Sequence, residues 1–162
     1  MKHMSAVFFS EARVALSPAQ IEELKTRARN EPARRARLCL HPKPEAHFQD
    51  MLIALCRDSY VRPKRQGDRL KSYHLIEGRM LVVFYDEAGG IVERLRFDRR
   101  REDCPLVFRF NCNVWHSVFP LSEIAVFREI IEGAFRANEY APWSPDGKNT
   151  DEVQKLMEAA RA

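Results

Sequence analysis

Histidine and tyrosine are the side chains through which this sequence could move a proton, and lysine and arginine those through which it could hold an anion. Of the five histidines, His116 lies in the run Val114-Trp115-His116, and an imidazole titrating near neutral pH suits general acid–base work. Tyr73 stands two residues after Lys71. On an extended strand the two share a face, and the phenol can donate a hydrogen bond there. His74 should then point to the opposite face, as a packing residue. His3, His41 and His47 fall in the N-terminal segment or among prolines, where surface and turn positions are expected. Basic side chains crowd one stretch, with Arg62, Lys64, Arg65, Arg69 and Lys71 inside twelve consecutive positions. The four cysteines, Cys39, Cys56, Cys104 and Cys112, show neither C-x-x-C spacing nor histidines at zinc-finger distances, which reads as reduced thiols. Cys39 and Cys56 sit in apolar runs and are expected to behave as small hydrophobes.

The chain that must position these groups has 162 residues, 45% hydrophobic and 31% charged. That is enough for one ordinary domain with a real core and too little for two. No apolar run reaches the roughly 18 residues that cross a bilayer, and no signal peptide is visible, so a soluble cytoplasmic protein is expected. The net charge is +4, but residues 1–71 carry a balance of +7 and residues 72–162 one of −3. A basic half attracts anions. No helix-turn-helix phrasing, RNP-like strand or finger spacing accompanies it, so nucleic acid is not expected as a partner. Glycine-rich phosphate loops, nucleophile elbows, and kinase, Rossmann and metalloprotease signatures are likewise missing.

Ser17-Pro18-Ala19-Gln20 reads as a capping box with proline at the first helical position, predicting a helix over 18–30. Ile21, Leu24 and Ala28 form its apolar stripe. Pro32 ends helical pairing, and the cluster Arg34-Arg35-Ala36-Arg37 leads as a basic rim into a short strand-like stretch at 38–40. From 51 onward, β-like runs at 51–56, 59–62, 71–77, 79–86, 91–97, 106–110, 115–120 and 124–131 alternate with turn residues, the spacing of a barrel or sandwich. Asp86-Glu87-Ala88-Gly89-Gly90 is the strongest hairpin signal. Residues 133–149 read as a wrap, and 150–161 as a helix capped by Thr150 with Val153, Leu156, Met157 and Ala160 on one face. Trp115 and Trp143 are expected to anchor the barrel end and the wrap.

The run from Tyr60 to Gly78 resembles the first motif of the cupin family. Lys64, Gln66, Lys71 and Gly78 stand in the slots that two histidines, a glutamate and a glycine take there. Asn111, Asn113 and His116 stand in the slots of the second motif. The phrases Arg37-Leu38-Cys39-Leu40-His41, His74-Leu75-Ile76-Glu77-Gly78, Val114-Trp115-His116 and Ala141-Pro142-Trp143 are similar to the WbuC-type cupins. The resemblance covers roughly residues 34–145. It implies a mainly β, jelly-roll-like cupin barrel at about 34–134, with an N-terminal helical extension over 1–33 and a C-terminal wrap and helix over 135–162. It also implies a bacterial protein associated with polysaccharide biosynthesis, in a family usually described as metalloproteins.

Of the family's ligands only His116 is retained, and lysines repel a divalent ion rather than donate to it. No metal or other cofactor is therefore expected. With Lys64, Gln66 and Lys71 pointing inward and Arg62 or Arg69 at the mouth, the pocket would favour a phosphorylated or carboxylated, sugar-derived small molecule. His116 as base and Tyr73 as acid are the candidate catalytic pair. Glu129 would join the pocket if residues 125, 127, 129 and 131 face inward, and Arg128 if the alternate set does. A second reading is a cupin that has lost its site and serves as an interaction or regulatory module, and a third is a metal-dependent enzyme of the ordinary cupin kind. A homodimer paired through exposed sheet edges is compatible with each.

Overall fold

The computed structural model describes residues 6–162, so the expectation for His3 lies outside the described residues. In chain order the elements are β1 (Ala6–Phe8), α1 (Pro18–Asn30), β2 (Arg35–Cys39), β3 (Phe48–Cys56), β4 (Lys64–Arg65), β5 (Leu70–Glu77) and β6 (Arg79–Tyr85). They continue with β7 (Ile91–Asp98), β8 (Val107–Asn111), β9 (Trp115–Pro120), β10 (Ile124–Glu132), β11 (Glu139–Tyr140) and α2 (Thr150–Arg161). A six-stranded sheet is ordered β1-β2-β3-β10-β5-β8 and a five-stranded sheet β11-β4-β9-β6-β7. Every pairing is antiparallel except β1 with β2.

Both sheets contribute to one buried cluster, with Leu55, Tyr73, Leu75, Ala125 and Phe127 on the first and Met80, Val82, Phe84, Phe97 and Val118 on the second. Apolar side chains are removed from water between the two layers. The outer face of the six-stranded sheet is covered by α1, where Leu24 and Ala28 meet Ala36, Leu38, Ala54 and Val126. The outer face of the five-stranded sheet is covered by α2, through Met157 and Ala160 against Leu81, Val83 and Phe119. Central strands thus bury both faces, which is why β6 reads as an unbroken apolar run rather than an alternation.

The first helix forms as its cap dictates. Ser17 accepts from the Gln20 backbone and Gln20 reaches back to the Ser17 backbone. The second helix also begins where expected, but its cap is Asn149, whose side chain accepts from the amides of Asp151 and Glu152. The β6–β7 hairpin closes around Asp86, whose carboxylate accepts from the amides of Ala88 and Gly90. Residues 59–62 are not a strand. Pro63 cannot donate to a ladder, and pairing resumes only in the short β4.

At the junction of the two sheets Gly78 adopts φ +79°, and a Cβ there would lie 2.5 Å from the Ile124 carbonyl oxygen. Neither the left-handed conformation nor the backbone contact tolerates a side chain. Gly78→Ala is expected to lower unfolding stability by roughly 2 kcal/mol or more, read as a shift of the urea midpoint without a change in slope.

Candidate functional site

The apolar cluster borders a cavity of about 640 Å³, a usual size for small-molecule sites. The cavity is lined in part by the cluster members Leu55, Tyr73, Val118 and Phe127. Two cross-strand pairs face each other across it. On the five-stranded sheet Lys64 of β4 lies opposite His116 of β9, and on the six-stranded sheet Tyr73 of β5 lies opposite Glu129 of β10. All four side chains line the cavity.

Register on β10 settles the parity left open by the sequence. Glu129 faces inward and is 9% exposed, with Ala125, Phe127 and Ile131 on the same side. Arg128 turns outward, where its guanidinium forks onto the Asp50 carboxylate at 2.8 and 2.6 Å.

Lys71 is 0% exposed, and its ammonium crosses from one sheet to the other. It donates to Gln66 Oε1 and to His116 Nε2 at 3.2 Å, and it pairs with Glu129 Oε2 at 3.5 Å. Three donors cover three acceptors. The expectation of Lys71 as a ligand-binding side chain is corrected in this respect, because its ammonium is consumed within the protein and does not line the cavity. Gln66 is committed at both ends, since its amide nitrogen donates to Asn138 Oδ1 at 2.9 Å. Arg69 does not reach the mouth. It is buried and holds the carbonyls of Gln66, Glu132 and Ala134.

His116 Nδ1 donates to the Val114 carbonyl at 2.8 Å. A carbonyl has no proton to give, so Nδ1 carries the hydrogen and Nε2 presents its lone pair to Lys71. Burial first, then the Lys71 charge, hold the imidazole well below its usual range, and it stays neutral. The tautomer turns its one basic atom toward Lys71 rather than toward a ligand. Tyr73 donates to Glu129, and burial with the Glu129 charge pushes its phenol well above the usual range. Burial pushes Glu129 up, but Lys71, Lys64 and Arg37 outweigh it and leave the carboxyl below the ordinary range.

Lys64 is the opposite of Lys71. Among the described residues it makes no hydrogen bond or ion pair, and it is half-buried with its free surface in the cavity. Burial lowers its amine to about 7, Lys71, Arg35 and Arg37 push the same way, and Glu129 opposes them.

Two cavity residues escaped the sequence reading. Arg35 and Arg37 belong to β2, where Ala36 and Leu38 pack on α1 and the alternate positions turn into the barrel. The alternation Arg35-Ala36-Arg37-Leu38-Cys39 carried that signal, but the cluster read as a rim. Arg35 donates to the Tyr60 carbonyl at 3.1 Å. Arg37 makes no hydrogen bond or ion pair among the described residues. His41 also corrects its expectation: it is 3% exposed, lines the cavity and accepts the Asp50 amide on Nδ1 at 3.0 Å. His74 is exposed rather than packed. Arg62 lines the cavity, pinned to the wrap through Ser144 Oγ at 2.9 Å and lying over the Tyr140 ring.

The fold family implies a divalent metal, and the donor set does not fit one. His116 Nε2, Gln66 Oε1 and Glu129 Oε2 converge as ligands would, but the point they share is filled by the Lys71 ammonium. A metal there would need that cation displaced and further anionic donors recruited. Among the described residues no group of three or more His, Cys, Asp or Glu side chains is placed to supply them.

Comparison with solved structures supports the cupin barrel. An oxalate oxidase in complex with the substrate analogue glycolate superposes with TM-score 0.53 at 10% identity, covering 80% of this chain and 73% of that one. The cupin domain of Schizosaccharomyces pombe Cnp3 gives 0.48 at 11% identity, covering 62% and 61%. A protein from Shewanella oneidensis gives 0.49 at 8% identity, covering 59% of this chain and 63% of its own. The chain therefore spans less than two thirds of the last two. No curated protein matches it in sequence. No helix among the described residues is long and apolar enough to cross a membrane. The model of a domain of unknown function, DUF6016, matches residues 16–97, from α1 through most of β7 and including Arg37, Lys64 and Lys71. With just over half of its length matched, this cupin-fold chain belongs to the DUF6016 family.

Proposed function

We propose that the barrel binds an anionic small molecule, with Lys64 and Arg37 as its principal partners. The observation that carries this reading is a mismatch of charge inside the cavity. Four cations line it: Arg35, Arg37, Arg62 and Lys64. Its two carboxylates are engaged, Glu129 with Lys71 at 3.5 Å and Asp146 with Lys148 at 3.3 Å. Two of the cations, Lys64 and Arg37, have no hydrogen-bond or ion-pair partner among the described residues, and a partly desolvated cation without one favours a phosphate or carboxylate. Arg62 adds to the same field. Lys71 acts from behind, held by Gln66 and His116 and paired with Glu129. A phosphorylated or carboxylated sugar derivative fits the volume and agrees with the WbuC-type resemblance and its link to polysaccharide biosynthesis.

Addition of glucose 1-phosphate or glucuronate is expected to raise the unfolding temperature saturably, by mass action on the folded state. The shift should vanish in Lys64→Gln/Arg37→Gln. Because Lys64 titrates near 7, its contribution is present below that pH and fades above it, so affinity for glucuronate, whose carboxylate is ionised throughout, should fall between pH 6 and 8. Arg35, Arg37, Cys39, His41, Tyr60, Arg62, Tyr73, His116, Glu129, Tyr140 and Asp146 are the other charged or titratable groups lining this space, with Lys71 behind them. Affinity unchanged across that range would remove Lys64 from the ligand.

A further inference from the structure

Lys64 is unusual among lysines in what it lacks as much as in where it stands. Lys71 is spent on three acceptors and Lys25 on Glu22 and Glu77. Lys64 has no acceptor among the described residues, yet its stem is fixed by backbone pairing to both β9 and β11. Its amine is held inside a cavity beside the positive charges of Lys71, Arg35 and Arg37, which the Glu129 carboxylate opposes. A lysine that is desolvated next to other cations keeps a large share of its amine neutral, and the neutral amine attacks carbonyl carbon. The value of about 7 for Lys64 agrees with that placement. Arg37, also without a hydrogen-bond or ion-pair partner among the described residues, supplies a planar guanidinium suited to a carboxylate in the same space.

We propose that Lys64 forms an imine with an anionic carbonyl compound, a 2-oxo acid or oxo-sugar acid, whose carboxylate is held by Arg37. The inference rests on the anion-binding reading of the cavity and names the ligand class within it. The Lys64 nitrogen lone pair forms a C–N bond to the carbonyl carbon. The carbonyl oxygen leaves as water with the two amine protons, and one further proton from solvent gives the iminium. No oxidant or reductant is consumed. The iminium withdraws electrons from the neighbouring carbon, and the Tyr73–Glu129 pair lies across the same cavity to receive or return a proton there.

The test uses the full chain with pyruvate, the smallest 2-oxo acid, and sodium cyanoborohydride, which delivers hydride to an imine and makes the adduct permanent. Intact mass and peptide mapping read the site, and lactate, which has the carboxylate but no carbonyl, is the control. Calorimetric titration of both acids without reductant runs in parallel. The expected result is a single adduct on Lys64 that saturates with pyruvate and is missing with lactate. It should also be missing in Lys64→Arg, which keeps the charge and removes the nucleophile. Arg37→Gln should raise the half-saturating pyruvate concentration by about tenfold, the effect of one charged hydrogen bond. Binding of both acids without an adduct, or adducts spread over surface lysines and undiminished in Lys64→Arg, would overturn the imine and leave anion binding standing. If neither acid binds, both readings fall together.

Discussion

Lys71→Met is expected to cost about 3–5 kcal/mol of unfolding stability, the range for removing one partner of a buried ion pair. The loss comes less from the missing attraction than from what is left behind. Glu129 would keep a buried carboxylate facing the more distant charges of Lys64 and Arg37 and the Tyr73 hydroxyl, while Gln66 Oε1 and His116 Nε2 would lose their donor. Each of these is a polar atom withdrawn from water with nothing in return. Lys71→Met/Glu129→Gln should recover most of the loss, because the residual charge disappears and the amide still accepts from Tyr73. Denaturant midpoints for the two single variants and the double variant give the coupling directly. Additive losses would mean that the ammonium and the carboxylate do not act as a unit.

Lys64→Met should move stability the other way. The folded-state amine titrates near 7, below its ordinary 10.5, so the unfolded chain binds that proton more tightly. Folding is therefore opposed at and below neutral pH, and the opposition is relieved as pH rises from 7 toward 10.5. Replacing the amine with a thioether is expected to raise stability at pH 6.5 by about 1–2 kcal/mol, the usual gain from relaxing a strained functional position. The difference between wild type and variant should shrink toward pH 10. Anion binding should weaken at least tenfold in the same variant, as a charged hydrogen bond is worth that much. Gain of stability with loss of ligand marks a side chain kept for function. A variant that is destabilised at pH 6.5 would instead assign Lys64 to the architecture.

Glycine positions carry further information about how local chemistry sets this fold. Gly89 adopts φ +89° in the β6–β7 hairpin, where a Cβ would lie 2.9 Å from the Trp143 ring. The hairpin and the C-terminal wrap are thus fitted to each other, and Trp143 anchors the wrap on Tyr85, with ring centroids 5.1 Å apart.

The parts of the fold legible in the sequence are those governed by short-range rules. The Ser17–Gln20 capping box and the Asp86–Gly90 turn needed no knowledge of distant residues. The inward set Lys71, Tyr73 and Leu75 on β5 follows from alternation, because its outer positions include the exposed His74. On β10 the same reasoning stalls. Ala125 and Phe127 face the barrel while Val126 packs beneath α1, so both sides read as apolar and the roles of Arg128 and Glu129 depend on a register set by β3 and β5. Arg35 and Arg37 were missed for a related reason. Arginines in a row resemble a solvated surface until the strand is known to have an α-helix against its other face. Lys71 posed the hardest case, since nothing local distinguishes an ammonium that meets a ligand from one that meets Gln66, His116 and Glu129 across the barrel. The cupin slots placed both lysines near the centre. Only the assembled structure separates the satisfied one from the one without a partner among the described residues.

Calorimetric titration of glucose 1-phosphate at pH 6.5, into the wild-type protein and into Lys64→Gln/Arg37→Gln, tests the anion-binding cavity most directly. Saturable binding at one site per chain, abolished in a variant that retains its fold, is the predicted result. Equal binding by both proteins, or none by the wild type at millimolar ligand, would contradict it.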